Sequence, residues 1–162
     1  MDFFEKAVEL EELVEGYYKD LAQKCITNEG IRNILIMLAG DHHKHGEILQ
    51  RMKDNECTGM PDTQTFKEID QVFNELKRKK EVFSCEIDHV KLYEEALDVV
   101  KKKLKFYTES EQGLDCPDNR SALQNIIKEE QKQVYVLEDI IEMVSRPEQW
   151  IESAEFYHFD EY

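Results

Sequence analysis

The stretch Ile31–Met52 reads IRNILIMLAGDHHKHGEILQRM. Its apolar residues recur at alternating steps of four and three, as Ile31, Leu35, Leu38, Leu49 and Met52. That spacing is the apolar seam of an amphipathic helix turned toward a packed interior. In the middle turn the seam positions are His42 and His45, where leucines are expected. An imidazole in a core has ring nitrogens that need partners, and an unpaired buried polar group costs about 1–3 kcal/mol. Other elements must therefore bring polar groups to this level.

The same counting finds three further seams. The first is Phe4, Ala7, Glu11, Val14, Tyr18, Leu21 and Cys25, ended by Asn28-Glu29-Gly30. The third is Val90, Tyr93, Leu97, Val100, Leu104 and Tyr107. The fourth is Leu123, Ile126, Glu130, Gln133, Leu137, Ile140 and Val144, with Asp118 expected as its cap and Pro147 as its stop. Four long amphipathic helices predict an all-α four-helix bundle over residues 1–146. Short loops make the first two and the last two helices antiparallel hairpins. A long crossover, Thr63 to about Glu86, joins the second and third helices. Phe66, Ile69, Phe73, Leu76 and Phe83 give it a helical period, as a separate helix or as a forward extension of the third. Residues 147–162 hold the sole tryptophan, Trp150, with Phe156, Tyr157, Phe159 and Tyr162. So aromatic a tail is expected to pack on the bundle or on a second subunit.

Composition narrows the functional classes. The chain has 21 Lys and Arg against 36 Asp and Glu, a formal charge of −15, which repels phosphate backbones and argues against a nucleic-acid partner. No run approaches the roughly 18 apolar residues of a membrane span. The acidic, amphipathic opening Met1-Asp2-Phe3-Phe4-Glu5-Lys6 is unlike a secretory leader, so a cytoplasmic location is expected. Cys25, Cys57, Cys85 and Cys116 form no Cys-x-x-Cys pair and are expected to be buried or idle thiols. No nucleophile triad, phosphate-cradling glycine loop or nucleotide fingerprint is present.

The polar residues that interrupt the seams are Glu11, His42, His45, Glu130 and Gln133, each near the middle of its helix. Residues three apart share a helix face, so His42 with His45, and Glu130 with Gln133, project side by side. Imidazoles and carboxylates converging in an apolar interior are a ligand set for a divalent ion such as zinc or iron. The plainer alternative is a buried hydrogen-bonded network.

Glu11 with Tyr18 and Ala22, Leu38-Ala39-x-x-His42-x-x-His45, Ala96 with Phe106-Tyr107, Glu130-x-x-Gln133 and the segment from Pro147-Glu148-Gln149-Trp150 to Glu155-Phe156 together resemble the rubrerythrin branch of the ferritin-like di-iron carboxylate proteins. The resemblance spans nearly the whole chain and implies a ferritin-like bundle, commonly a homodimer, with iron and peroxide or oxygen chemistry. It also implies where this chain departs. His42 stands where the pattern has a bridging Glu, Val100 where the third helix has a Glu, and Gln133 where the fourth has a His.

The departures fall on one metal position. What remains is Glu11, His42, His45 and Glu130, a set for one divalent ion, iron or zinc, with a di-iron pair less expected. Peroxidase or other oxidoreductase activity is then doubtful, and a metal-free scaffold for dimerisation or partner binding is the alternative. Glu15 is the nearest candidate to refill the second position, and Tyr18 and Tyr107 flank the site. Without a rubredoxin-type cysteine pair, any redox role needs an external electron donor.

Overall fold

The computed structural model describes residues 2–25, 28–54, 64–79 and 87–152. They form α1 (Phe3–Lys24), α2 (Glu29–Lys53), α3 (Thr65–Lys79), α4 (Ile87–Ser110), α5 (Pro117–Ser145) and α6 (Pro147–Glu152), with a 3-10 turn at Glu111–Gly113. The described residues contain no strand. No helix among them is long and apolar enough to cross a membrane.

Local chemistry sets the helix ends. The Asp2 carboxylate accepts from the Glu5 N–H at 2.9 Å and starts α1. The Asn28 side chain accepts from the Ile31 N–H at 3.0 Å and starts α2. Each satisfies one of the orphan donors of a first turn. The fourth predicted helix begins differently from expectation. Pro117 occupies its first position, where a missing N–H is harmless, and Asp118 lies inside the first turn instead of capping it. There its charge still favours the positive end of the helix dipole.

Contacts between helices fix their directions. Lys53 pairs with Glu5 at 3.3 Å, so α2 runs antiparallel to α1. Lys101 approaches Glu138 at 3.8 Å while Lys103 meets Glu130, so α5 runs antiparallel to α4. Tyr107 reaches Ala7 and Lys103 reaches Glu11, which makes α4 antiparallel to α1. Hence α2 and α4 run the same way. The helical period read between them is a separate helix, α3, which buries Phe66, Ile69, Phe73 and Leu76. Gly30 permits its close approach, because a Cβ there would lie 3.2 Å from Val72 and 3.3 Å from Leu76. Thr63 and Phe83 lie outside the described residues.

Three predicted seams are buried as read, apart from a half-exposed Phe4 at the start of the first. The α4 seam is corrected. Its buried line is Tyr93, Ala96, Val100, Lys103 and Tyr107, with Leu97 and Leu104 only partly buried beside it. The interior is two apolar clusters. One, from Val14 and Tyr18 to Val144 and Trp150, fills the end where α1 meets α2 at their short loop. The other, around Ala7, Leu49, Met52, Tyr107 and Leu123, fills the opposite end. Between them lies a level of buried charged groups.

At the C-terminal end, Trp150 of α6 is buried, its Nε1–H donating to Asp139 of α5 at 2.6 Å and its ring meeting Phe73 of α3 edge-on. The rest of the aromatic tail lies outside the described residues. Cys25 is a free, buried thiol, whereas Cys116 is disulfide-bonded, which corrects the expectation of four buried or idle thiols. Cys57 and Cys85 lie outside the described residues.

Candidate metal centre

The residues singled out on the seams do meet. Glu11 of α1, His42 and His45 of α2 and Glu130 of α5 are each 0–1% exposed, and one ligand atom from each lies within 4.8 Å of the others. Each stands at mid-helix on an inward face, with helical spacing making neighbours of the two imidazoles. His42 Nδ1 lies 2.6 Å from Glu11 Oε2 and 3.7 Å from Glu130 Oε1. His45 Nδ1 lies 3.4 Å from Glu130 Oε1 and 3.8 Å from Glu11 Oε2.

Both histidines are held from behind. His42 Nε2 faces Gln133 Oε1 at 2.5 Å, and that oxygen also accepts from the Tyr18 hydroxyl at 3.0 Å. The amide oxygen cannot donate, so Nε2 carries a proton toward Gln133, and the Nδ1 side faces the carboxylates. His45 Nε2 meets Glu129 Oε2 at 2.5 Å in the same manner. The Tyr107 hydroxyl donates to Glu11 Oε1 at 2.7 Å. Gln133, which stands where the family pattern has a His, therefore orients the His42 ring. Glu129 was not anticipated at all; it lies about 100° around α5 from Glu130 and reaches His45 from the edge of the seam.

A second unanticipated residue is Lys103 of α4, fully buried. Its Nζ lies 3.1 Å from Glu11 Oε1, 2.9 Å from Glu130 Oε1 and 3.0 Å from His42 Nδ1. Thus α4, the third predicted seam, contributes a cation to this level, one turn beyond Val100. Glu15, by contrast, does not join it. It is partly buried at the rim of the cleft, paired with Lys19 and His43.

The charges shape one another. Burial opposes ionisation of Glu11, yet the Lys103 charge and the His42 contact hold its carboxyl well below the usual range. Glu130 is likewise held down by Lys103 and His42 against its burial. Burial disfavours a charged His45, but Glu129, Glu130 and Glu11 outweigh it and push the imidazole up to about 10. Burial and the nearby carboxylates raise both Tyr18 and Tyr107 well above the ordinary phenol range, so they act as neutral donors.

The four residues could hold a metal ion. A tetrahedral ion with bonds of about 2.0–2.1 Å separates neighbouring donors by about 3.4 Å, which the four inward distances bracket. His45 Nδ1 and Glu130 Oε2 are buried with no hydrogen-bond partner among the described residues. A cleft of about 190 Å³ between α1 and α2, lined by Glu12, Glu15, His43 and Glu47 among others, reaches Glu11 and His42 from the surface.

The rubrerythrin family model matches residues 2–141, and the chain belongs to that family. Comparison with curated proteins and with solved structures gives no match.

Proposed function

We propose that this chain is a single-metal member of its family. In this reading the helices make a ferritin-like four-helix bundle with α3 in the crossover, and Glu11, His42, His45 and Glu130 hold one divalent ion, zinc or iron. The observation that carries the reading is the shared orientation of the histidines. Gln133 and Glu129 fix their outer nitrogens, leaving both Nδ1 atoms toward two buried carboxylates. Metal-ligating histidines are ordinarily held by such a partner, which sets the tautomer and raises ligand basicity.

When bound, the ion would supply Lewis acidity or, as iron, one-electron redox chemistry. The chain's own groups do the rest. Tyr107 orients Glu11, Tyr18 orients Gln133, and two apolar clusters exclude water above and below. The acidic cleft gives a cation a favourable route inward. Paired-iron peroxide chemistry is not part of this reading, because α4 brings Val100 and Lys103 to the centre and no carboxylate.

A metal-free scaffold is the second reading, favoured by the ammonium already touching three of the four residues. Elemental analysis of untagged protein separates the two. One equivalent of metal, lost in His45→Ala and kept in His43→Ala, supports the first, since His43 is on the exposed face. Protein that takes up neither zinc nor iron supports the second.

A further inference from the structure

Two buried carboxylates face each other across a centre with one lysine ammonium fixed beside them. Lys103 Nζ lies 3.1 Å from Glu11 and 2.9 Å from Glu130, with no exposure to solvent. It occupies the α4 corner, the one corner from which no ligand comes. We propose that the Lys103 ammonium is a built-in second cation, standing where a second ion would otherwise sit and limiting the site to one divalent metal. The proposal rests on the one-metal reading above and goes on to say why the count is one.

The argument is charge balance in a dry interior. Glu11, Glu130 and Glu129 are the three buried carboxylates that touch the imidazoles or the ammonium; Asp41, also buried and one turn before His45, accepts instead from the Thr65 hydroxyl at 3.0 Å. One divalent ion and one ammonium neutralise those three once the imidazoles are metal ligands, since a ring nitrogen binds a metal only after giving up its proton. A second divalent ion would leave two uncompensated positive charges. Uncompensated buried charge is strongly unfavourable even after relaxation. Position matters as well as count. A lysine stem that must stretch to solvent would snorkel, but this one ends on two carboxylates and an imidazole, with the Tyr107 ring 5.9 Å away. Nothing in that pattern resembles a surface lysine folded inward for its apolar stem alone.

Three consequences can be separated by titrating the full-length chain with Zn2+, following affinity by calorimetry and stoichiometry by native mass spectrometry. The wild-type chain is expected to bind one Zn2+. Lys103→Met, close in volume and uncharged, is expected to bind one Zn2+ at least tenfold tighter and to melt at a lower temperature without metal, because Glu11 and Glu130 then lack their cation. Lys103→Glu, which exchanges the cation for a carboxylate, is expected to bind two. Two Zn2+ on the wild-type chain would overturn the inference. So would wild-type stoichiometry and affinity in both variants, which would leave the one-metal reading standing. No uptake by the wild-type chain with uptake by Lys103→Met would overturn the one-metal reading instead and leave Lys103 as the site's resident cation. No uptake by any of the three overturns both.

Discussion

At the residue scale the centre is a set of oriented donors, and each orientation has a testable energetic consequence. Tyr107 donates to a carboxylate that is buried and ionised. Hydrogen bonds to charged groups contribute roughly 1.5–3 kcal/mol. Tyr107→Phe, which keeps the ring and removes the donor, is expected to lower unfolding stability by that amount in urea titrations. Gln133→Leu should act on metal instead, because it frees the His42 ring from its outer partner; loss of such a partner weakens metal affinity by about 10–100-fold, which competition with a chromophoric chelator would measure. Glu11, His42, His45 and Glu130 were legible as polar residues at seam positions, where burial is implied by spacing. Lys103 was not. Counting four onward from Val100 gives Leu104, an ordinary core residue, and a lysine is ordinarily solvated. The available signal was that Lys103 lies three after Val100 and four before Tyr107, the same alternation that places His42 and His45. Glu129 had no such signal, since its neighbour Glu130 holds the seam position.

At the scale of elements, α6 and α3 are tied to α5 through one indole. Trp150 contacts Phe73, has Lys77 over its ring at 4.7 Å and donates to Asp139. Trp150→Ala is expected to cost about 3–5 kcal/mol, as large-to-small changes at buried aromatics do. Asp139 is where this junction depends on pH. Burial raises its carboxyl to about 6, with the Trp150 hydrogen bond and Lys77 opposing. Between about pH 4 and 6 the folded chain keeps a proton that the unfolded chain has released, so stability falls as pH rises through that window and stays lower above it. Asp139→Asn keeps a carbonyl acceptor for the indole and removes the charge. It is expected to gain roughly 1–3 kcal/mol over wild type at pH 7, a gain that vanishes below about pH 4; urea unfolding at the two pH values checks it. The four long helices were legible because each seam runs for several turns without a break. Whether α3 stood alone was not, because its period gives a buried face and no information about where the chain turns.

At the scale of the whole molecule, the polar level divides the interior into two apolar clusters and joins α1, α2, α4 and α5 at one height. A ligand bound there should therefore stabilise every long helix together. Metal at 100 times its dissociation constant contributes about 2.7 kcal/mol. For a chain of this size that corresponds to a rise in melting temperature of roughly 5–11 °C. Circular dichroism melts with Zn2+ should show that rise in the wild-type chain and none in His45→Ala. The antiparallel pairing of α1 with α2 and of α4 with α5 was legible from loop lengths, since short loops demand antiparallel neighbours. The charge compensation at the centre was not, because it depends on which side chains from different helices reach one point. The most direct measurement is an anomalous-difference map from crystals grown with zinc or ferrous iron, collected at the metal's absorption edge. The account predicts a single peak enclosed by His42 Nδ1, His45 Nδ1, Glu11 and Glu130, with Lys103 still beside the carboxylates. Two peaks in that interior, or none at full metal saturation, would contradict it.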